Sequence, residues 1–187
     1  YAEASASELS ELRRDFHRHP EPGWMEFRTS GRIADLLHLY GCDEVLTDQQ
    51  VCKAEARMGV PEGGGMTGVI GMLHCGMGPT VALRFDIDAL PVRECEELDH
   101  FPAQEGFRSE HAGYMHACGH DGHITVGLGT AKLLCQMREQ LHGTVKFIFQ
   151  PAEEGVRGAR AIVENGHLED VDFLLGAHMY GGSEQHP

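Results

Sequence analysis

Positive charge is scarce in this chain and never gathers. Fifteen Lys and Arg stand against 29 Asp and Glu in 187 residues, a formal net charge of -14. No basic run supplies the clustered charge that a nucleic acid or an anionic membrane surface requires, so both are excluded as expected partners. Long apolar stretches are missing as well. Nothing approaches the roughly 18 consecutive apolar residues of a membrane span, and the opening YAEASASELSELRRDFHRHPE lacks the hydrophobic segment of a signal peptide. A cytoplasmic protein is the expectation. There is no internal repeat, no low-complexity segment and no CxxC pair. The six cysteines, Cys42, Cys52, Cys75, Cys95, Cys118 and Cys135, are scattered and do not suggest a disulfide framework. Most read as buried thiols, Cys118 excepted. The chain starts without Met and stops at GGSEQHP, which reads as part of a longer product.

What is present suffices for one sizeable core, since 41% of the residues are hydrophobic. Leu9, Leu12 and Phe16 recur at helical spacing from Ser5 to about His19, where Pro20 and Pro22 end the run. A second helix is expected from Glu26 to Gly41 on the stripe of Phe27, Ile33, Ala34, Leu37 and Tyr40, with Trp24 packed between the two helices. Glu44 to Leu46 and Val51 to Ala56 read as short strands. Gly59 to Gly65 is either a loop tip or a point where residues are absent. Thr67 to His74 and Thr80 to Asp86 read as a strand pair joined by CGMGP, and residues 92 to 115 as a polar excursion. A helix after His123, a buried strand from Thr144 to Phe149, a helix from Arg157 to Glu164 and a buried strand from Phe173 to Ala177 complete the pattern. Strands alternating with helices predict a layered α/β sheet.

The chemistry concentrates in His116-Ala117-Cys118-Gly119-His120-Asp121-Gly122-His123. A Cys and a His two apart can face one centre only if the backbone bends, which Gly119 permits. Two further clusters, Glu153-Glu154 and His178, each follow an apolar run. A thiolate, two imidazoles and a carboxylate from Cys118, His120, His178 and Glu154 suit Zn²⁺ or another divalent transition metal. His116 and His123 could be ligands or ordinary histidines, and Cys118 could be a core thiol. Adjacent Glu153 and Glu154 point in different directions in an extended segment, so one can hold metal while the other moves a proton. A solvated acidic pair is the alternative. Asp86 and Asp88 share a face; Asp88 could orient an imidazole or a bound water, or both could serve as turn residues.

DIDALP, HACGHDGH, FQPAEEG and AHM together resemble the amidohydrolase branch of the dinuclear metallo-aminoacylase and carboxypeptidase family. Within it, DFHRHPEPGWMEFRT, MTGVIGML and EEGVRGARAIVENG look most like the group of p-aminobenzoyl-glutamate hydrolase A-type subunits. The resemblance implies a three-layer αβα zinc-peptidase-like catalytic domain with a mixed, largely parallel sheet. It implies two divalent ions, Zn or Mn, held by Cys118, His120, Glu154 and His178, with Glu153 as general base and Asp88 supporting a ligand. Asp86 stands where those relatives carry a ligand histidine. The implied reaction is hydrolysis of an aroyl or acyl amino acid, p-aminobenzoyl-glutamate first, with hippurate-type and N-acetyl amino acids as alternatives and a non-catalytic metal-binding homologue as another. Arg157 and Arg160 are candidates for an acidic substrate, or an ordinary solvated helix face. Relatives of this kind are longer, carry one more metal-binding His, and dimerise or pair subunits through a lid domain. Residues 1–187 are therefore expected to be the N-terminal portion of the catalytic domain, without lid, and inactive alone.

Overall fold

Strands that carry apolar side chains on both faces must be covered twice, and β-branched and aromatic residues alternate through 69–74 and 144–150 in that way. The computed structural model of the chain describes residues 2–155 and 157–179. Its elements are α1 (Ala2–Arg18), α2 (Phe27–Tyr40), β1 (Glu44–Thr47), β2 (Val69–His74), β3 (Thr80–Asp86), α3 (Phe101–Gln104), α4 (His120–Gln136), β4 (Thr144–Gln150), α5 (Ala159–Val163) and β5 (Phe173–Gly176). The strands form one sheet in the order β1-β2-β4-β3-β5. Leu12 and Phe16 of α1, Ile33 and Leu37 of α2, and Ile124 and Leu128 of α4 bury one face against Val69, Leu73, Phe147 and Phe149. Ala161 and Ile162 of α5 cover the other with Ile70, Ala82 and Ile148. Each such fully buried large side chain contributes about 1.5–3 kcal/mol. Three layers result, as expected.

The sheet is mixed and largely parallel in strand direction: β1-β2 and β2-β4 are antiparallel and β4-β3 and β3-β5 parallel, so β2 alone among the described strands runs against the others. Several other expectations change. β2 and β3 are not paired with each other, because β4 lies between them. The turn joining β2 and β3 is spread around the entry to β4: Cys75 N–H donates to the Gly143 carbonyl at 2.8 Å and Thr144 N–H to that of Pro79 at 3.0 Å. Trp24 packs not between α1 and α2 but in the second core, with Nε1–H donating to the Met58 carbonyl at 2.8 Å. Val51 to Ala56 forms no strand. Short 3-10 turns at Asp48–Gln50 and Ala54–Ala56 let Val51, Cys52 and Ala56 all face that core, which strand alternation would forbid. β5 is an exposed edge strand rather than a buried one. All six thiols are free and only Cys52 is buried. No described helix is long and apolar enough to cross a membrane.

A buried ionic chain ties α1 to the start of α4. His17 Nδ1 meets Asp121 Oδ2 and Nε2 meets Glu94 Oε1, both at 2.9 Å, while Arg13 Nε reaches Asp121 at 2.7 Å. Ser109 N–H and His100 Nε2 complete the shell of Glu94 at 2.6 and 2.9 Å. Burial opposes charge on each member. Mutual hydrogen bonding outweighs it, raising His17 and lowering Asp121 and Glu94.

Two expectations follow from this architecture. At Gly143, φ is +85° and a Cβ would overlap the Pro79 carbonyl, whereas at Gly31, inside α2, a Cβ meets nothing within 4 Å. Gly143→Ala should lose about 3 kcal/mol or more and Gly31→Ala should gain up to about 1 kcal/mol in urea unfolding. The raised His17 stabilises fully below its ordinary 6.5 and less as pH climbs through its folded value. The lowered carboxylates stabilise fully above their ordinary 3.8 and 4.5 and less as pH falls. His17→Gln should therefore lose most relative to the parent between about pH 4.5 and 6.5, on the order of 3 kcal/mol. The difference should shrink toward pH 9; a pH-independent difference would remove the charged role of His17.

Candidate metal centre

β3, β4 and β5 run in the same direction, so the segments that follow them meet at one edge of the sheet. Those segments bring Asp88, Glu153-Glu154 and His178 to this edge, and α4 starts beside them. Gly119 caps α4 at φ +84°, ψ 16°, the left-handed conformation that the Cys118-to-His120 bend requires.

His120 is buried at the middle of the cluster. Its Nδ1–H donates to the Asp88 main-chain carbonyl at 2.8 Å, which leaves Nε2 as the bare nitrogen. Nε2 faces Asp86 Oδ1 at 3.6 Å, Glu153 Oε2 at 3.9 Å and Glu154 Oε1 at 4.0 Å. Neither this Nε2 nor Glu154 Oε1 has a hydrogen-bond partner among the described residues. Burial works against the imidazolium, yet Asp88 and Asp86 outweigh it and raise His120 to about 8. Cys118 is pushed up to about 11 by burial and by Glu154 and Glu153. A set of soft and anionic donors that otherwise collects protons fits a divalent cation. Cys118, His120 and Glu154 offer ligand atoms within 4.8 Å of one another, as do Asp86, His120, His123 and His178. His178 donates from Nδ1 to the Met179 carbonyl at 2.7 Å and turns Nε2 to Cys118 Sγ at 3.4 Å.

Asp88 sets the geometry of the carboxylate pair. Its Oδ1 accepts Glu153 N–H at 2.9 Å and its Oδ2 accepts Glu154 N–H at 3.0 Å. The segment is a turn rather than extended, with Ala152 at φ +48°, so both carboxylates reach the same nitrogen of His120 instead of diverging as expected. Buried Glu26 holds this turn from below, accepting Ala152 N–H at 2.8 Å and Thr67 Oγ1–H at 2.6 Å. Burial raises Glu26 to about 8. Pattern reading misses it, because Glu26 at the head of α2 reads as an ordinary first-turn acid.

Asp86 is engaged on both oxygens. Its Oδ2 lies 2.7 Å from Arg84 Nη1, and its Oδ1 accepts a short hydrogen bond from His123 Nδ1–H. Burial favours the neutral acid, but His123, His120 and Arg84 outweigh it and hold Asp86 below the usual carboxylate range. His123 accepts Met179 N–H on Nε2 at 2.7 Å and so is bonded on both nitrogens. His116 is buried beneath the loop with neither ring nitrogen hydrogen-bonded among the described residues, and burial lowers it to about 4. Arg157 donates from Nε to the Glu154 carbonyl and from Nη1 to that of Gly59, each at 3.0 Å, so the 59–65 segment is a loop laid against the site. Arg160 pairs with Glu164 at 2.5 Å on the exposed side of α5. A cavity of about 690 Å³ opens beside Glu154 and Arg157, walled by Pro22, Met25, Phe27 and Tyr114.

Residues 82–186 match the model of peptidase family M20/M25/M40. The chain is 42% identical over 207 residues to the A-type subunit of the p-aminobenzoyl-glutamate hydrolase of Escherichia coli K12, covering 97% of this chain and 47% of that protein. It is 42% identical over 200 residues to the indole-3-acetyl-aspartic acid hydrolase of Enterobacter agglomerans, covering 94% and 46%. The crystal structure of a dinuclear metal-binding M20 peptidase from Bacillus subtilis superposes with a TM-score of 0.79 at 39% identity, over 96% of this chain and 44% of that one. The chain thus spans about half the length of the curated relatives it matches. On the match over more than half its length and the superposed fold, this chain belongs to peptidase family M20/M25/M40.

Proposed function

We propose that these residues form the N-terminal portion of the catalytic domain of a metal-dependent amidohydrolase. Its substrate would be an aroyl or acyl amino acid, p-aminobenzoyl-glutamate in the first place, split to p-aminobenzoate and glutamate. The observation that carries this reading is the buried, unpartnered Nε2 of His120, aimed at Glu153 and Glu154. Cys118, His120, Glu154 and His178 are assigned as the residues that would hold two divalent ions, Zn or Mn in class. When bound, the ions supply polarisation of the scissile carbonyl and acidify the attacking water.

The remaining work belongs to the chain's own side chains. Glu153 accepts a proton from the water as its oxygen bonds to the acyl carbon, then gives that proton to the amide nitrogen as the C–N bond breaks. Asp88, by accepting both turn N–H groups, keeps Glu153 and Glu154 from exchanging roles. Its carbonyl fixes the His120 tautomer. The cavity beside Glu154 is walled by flat and apolar side chains and suits an aromatic acyl group. Arg157 lines the same cavity and is the candidate for the substrate carboxylate; Arg160, paired outward with Glu164, is the weaker of the two. The contacts of a homodimer or of a paired assembly are assigned to the part of the relatives' length that this chain does not span. Six unpaired thiols fit a reducing cytoplasm.

The test is amide hydrolysis by the full-length protein that carries this chain, on p-aminobenzoyl-glutamate, hippurate and N-acetyl amino acids, with Mn²⁺ or Zn²⁺ and with a chelator. Chelator-sensitive release of p-aminobenzoate is expected. Glu153→Gln should lower kcat by at least about 100-fold with metal content unchanged, and Glu154→Gln should lower metal content itself. Faster turnover of another panel member would keep the mechanism and change the substrate. Metal uptake without hydrolysis of any panel member would leave a non-catalytic metal-binding homologue.

A further inference from the structure

The far end of α4 carries a second cluster of reactive groups. Cys135 lies in the last turn of α4, and Cys42 follows Gly41, the left-handed residue that stops α2. Their sulfur atoms are 3.9 Å apart, and both side chains are half-buried. At 1.5 Å per residue, Cys135 is about 22 Å along the helix from His120. The contact is clamped from outside. Arg138, just past α4, donates from Nη2 to the Gly41 carbonyl at 2.5 Å and from Nη1 to Asp43 Oδ1 at 2.8 Å, gripping the residues on either side of Cys42. From the inner side, Cys42 N–H donates to the Leu37 carbonyl at 3.1 Å. Two sulfurs 3.9 Å apart on clamped backbone must close to about 2.05 Å to bond.

The two thiols are not equivalent. The hydrogen bond between the two thiols lowers Cys135 and raises Cys42, while the Arg138 guanidinium favours a thiolate at either sulfur. One sulfur is thereby the nucleophile and the other the reserve thiol. Cys52 turns to the Thr67 carbonyl and Cys118 to His178; Cys75 packs against the same core cluster as Cys42 and Cys135, with its sulfur toward the Leu73 carbonyl at 4.0 Å. Cys95 is exposed.

We propose that Cys42 and Cys135 form an oxidisable dithiol site that takes a hydroperoxide and closes to a disulfide joining α2 to α4. The Cys135 sulfur attacks the peroxide, the O–O bond breaks, and Cys135 becomes a sulfenic acid as water or an alcohol leaves. The Cys42 sulfur then attacks Cys135, the S–S bond forms, and the S–O bond breaks; hydroxide leaves and takes the Cys42 proton as water. The two thiols supply the two electrons that reduce the peroxide, and a thiol reductant reverses the reaction.

The experiment treats native protein with limiting hydrogen peroxide, blocks the remaining thiols and maps the peptides by mass. The expected result is one linked species containing Cys42 and Cys135, two hydrogens lighter than the sum of its parts and separated again by dithiothreitol. Cys42→Ser should halt at a Cys135 sulfenic acid that dimedone traps, and Cys135→Ser should yield neither product. Peroxide consumed first at Cys75, Cys95 or Cys118 while Cys42 and Cys135 stay free would overturn the proposal. So would a link that forms only after unfolding. Neither result bears on the hydrolytic reading, which does not involve these thiols.

Discussion

One carboxylate holds the candidate site together. Asp88 accepts the N–H groups of Glu153 and Glu154 on its two oxygens, and its own carbonyl accepts the Nδ1–H of His120. It thereby joins the segment after β3, the turn after β4 and the first residue of α4. Hydrogen bonds to a charged acceptor contribute roughly 1.5–3 kcal/mol each, so the turn is held against thermal motion of a size that would separate Glu153 from Glu154. The same bonds engage both Asp88 oxygens with the turn. Asp88 orients the residues that face the centre, and its worth to the chemistry lies in their positions.

Gathering Asp86, Asp88, Glu153 and Glu154 around one imidazole is unfavourable by itself. Like charges within about 4 Å in a partly desolvated site repel by several kcal/mol. The chain relieves part of this by neutralising its neighbours. Arg84 sits on Asp86, and burial raises Glu26, beneath the turn, to about 8, which favours its neutral form. What remains is answered by drawing protons onto His120 and Cys118, which are both raised. A divalent cation would displace those protons and satisfy the orphaned Nε2 and Oε1 together, which is why the donor set and the electrostatics lead to the same conclusion.

Much of this is legible in the residues. The helical stripes of α1 and α2, the strands at 69–74, 80–86 and 144–150, and the nearness of Cys118, His120 and Glu154 all follow from local spacing, because periodicity and glycine placement are local signals. Strand order is not local: nothing within 67–86 records that β4 enters between its two strands, since the glycines that admit it, Gly78 and Gly143, are far apart in sequence. The positive φ of Trp24 and Ala152 is equally invisible, as neither residue type favours it. Spacing alone therefore puts Trp24 on the wrong face and makes the two glutamates diverge. The His17, Glu94 and Asp121 chain spans three distant segments that look like ordinary polar surface when read separately.

Asp86 stands where the family resemblance implies a ligand histidine, and its surroundings bear on two roles. A carboxylate standing in for a ligand histidine would need an oxygen free to face the centre. Oδ2 is ion-paired with Arg84 but has no hydrogen-bond partner among the described residues, and Oδ1 accepts from His123, whose other nitrogen receives the N–H of Met179 beside His178. Asp86, His123 and Met179 therefore form a hydrogen-bonded strut from β3 to the segment after β5, with Arg84 ion-paired at its head. Releasing Oδ1 to a cation would break the strut at the point where it fixes His178, exchanging one ligand for the position of another. The charge of Arg84 also weakens Asp86 as a donor, since a carboxylate already paired at 2.7 Å has less to offer an ion. The arrangement favours Asp86 as the residue that aims His178 through His123. On that reading Asp86 serves the position of His178, while Cys118, His120 and Glu154 bring their ligand atoms together without it.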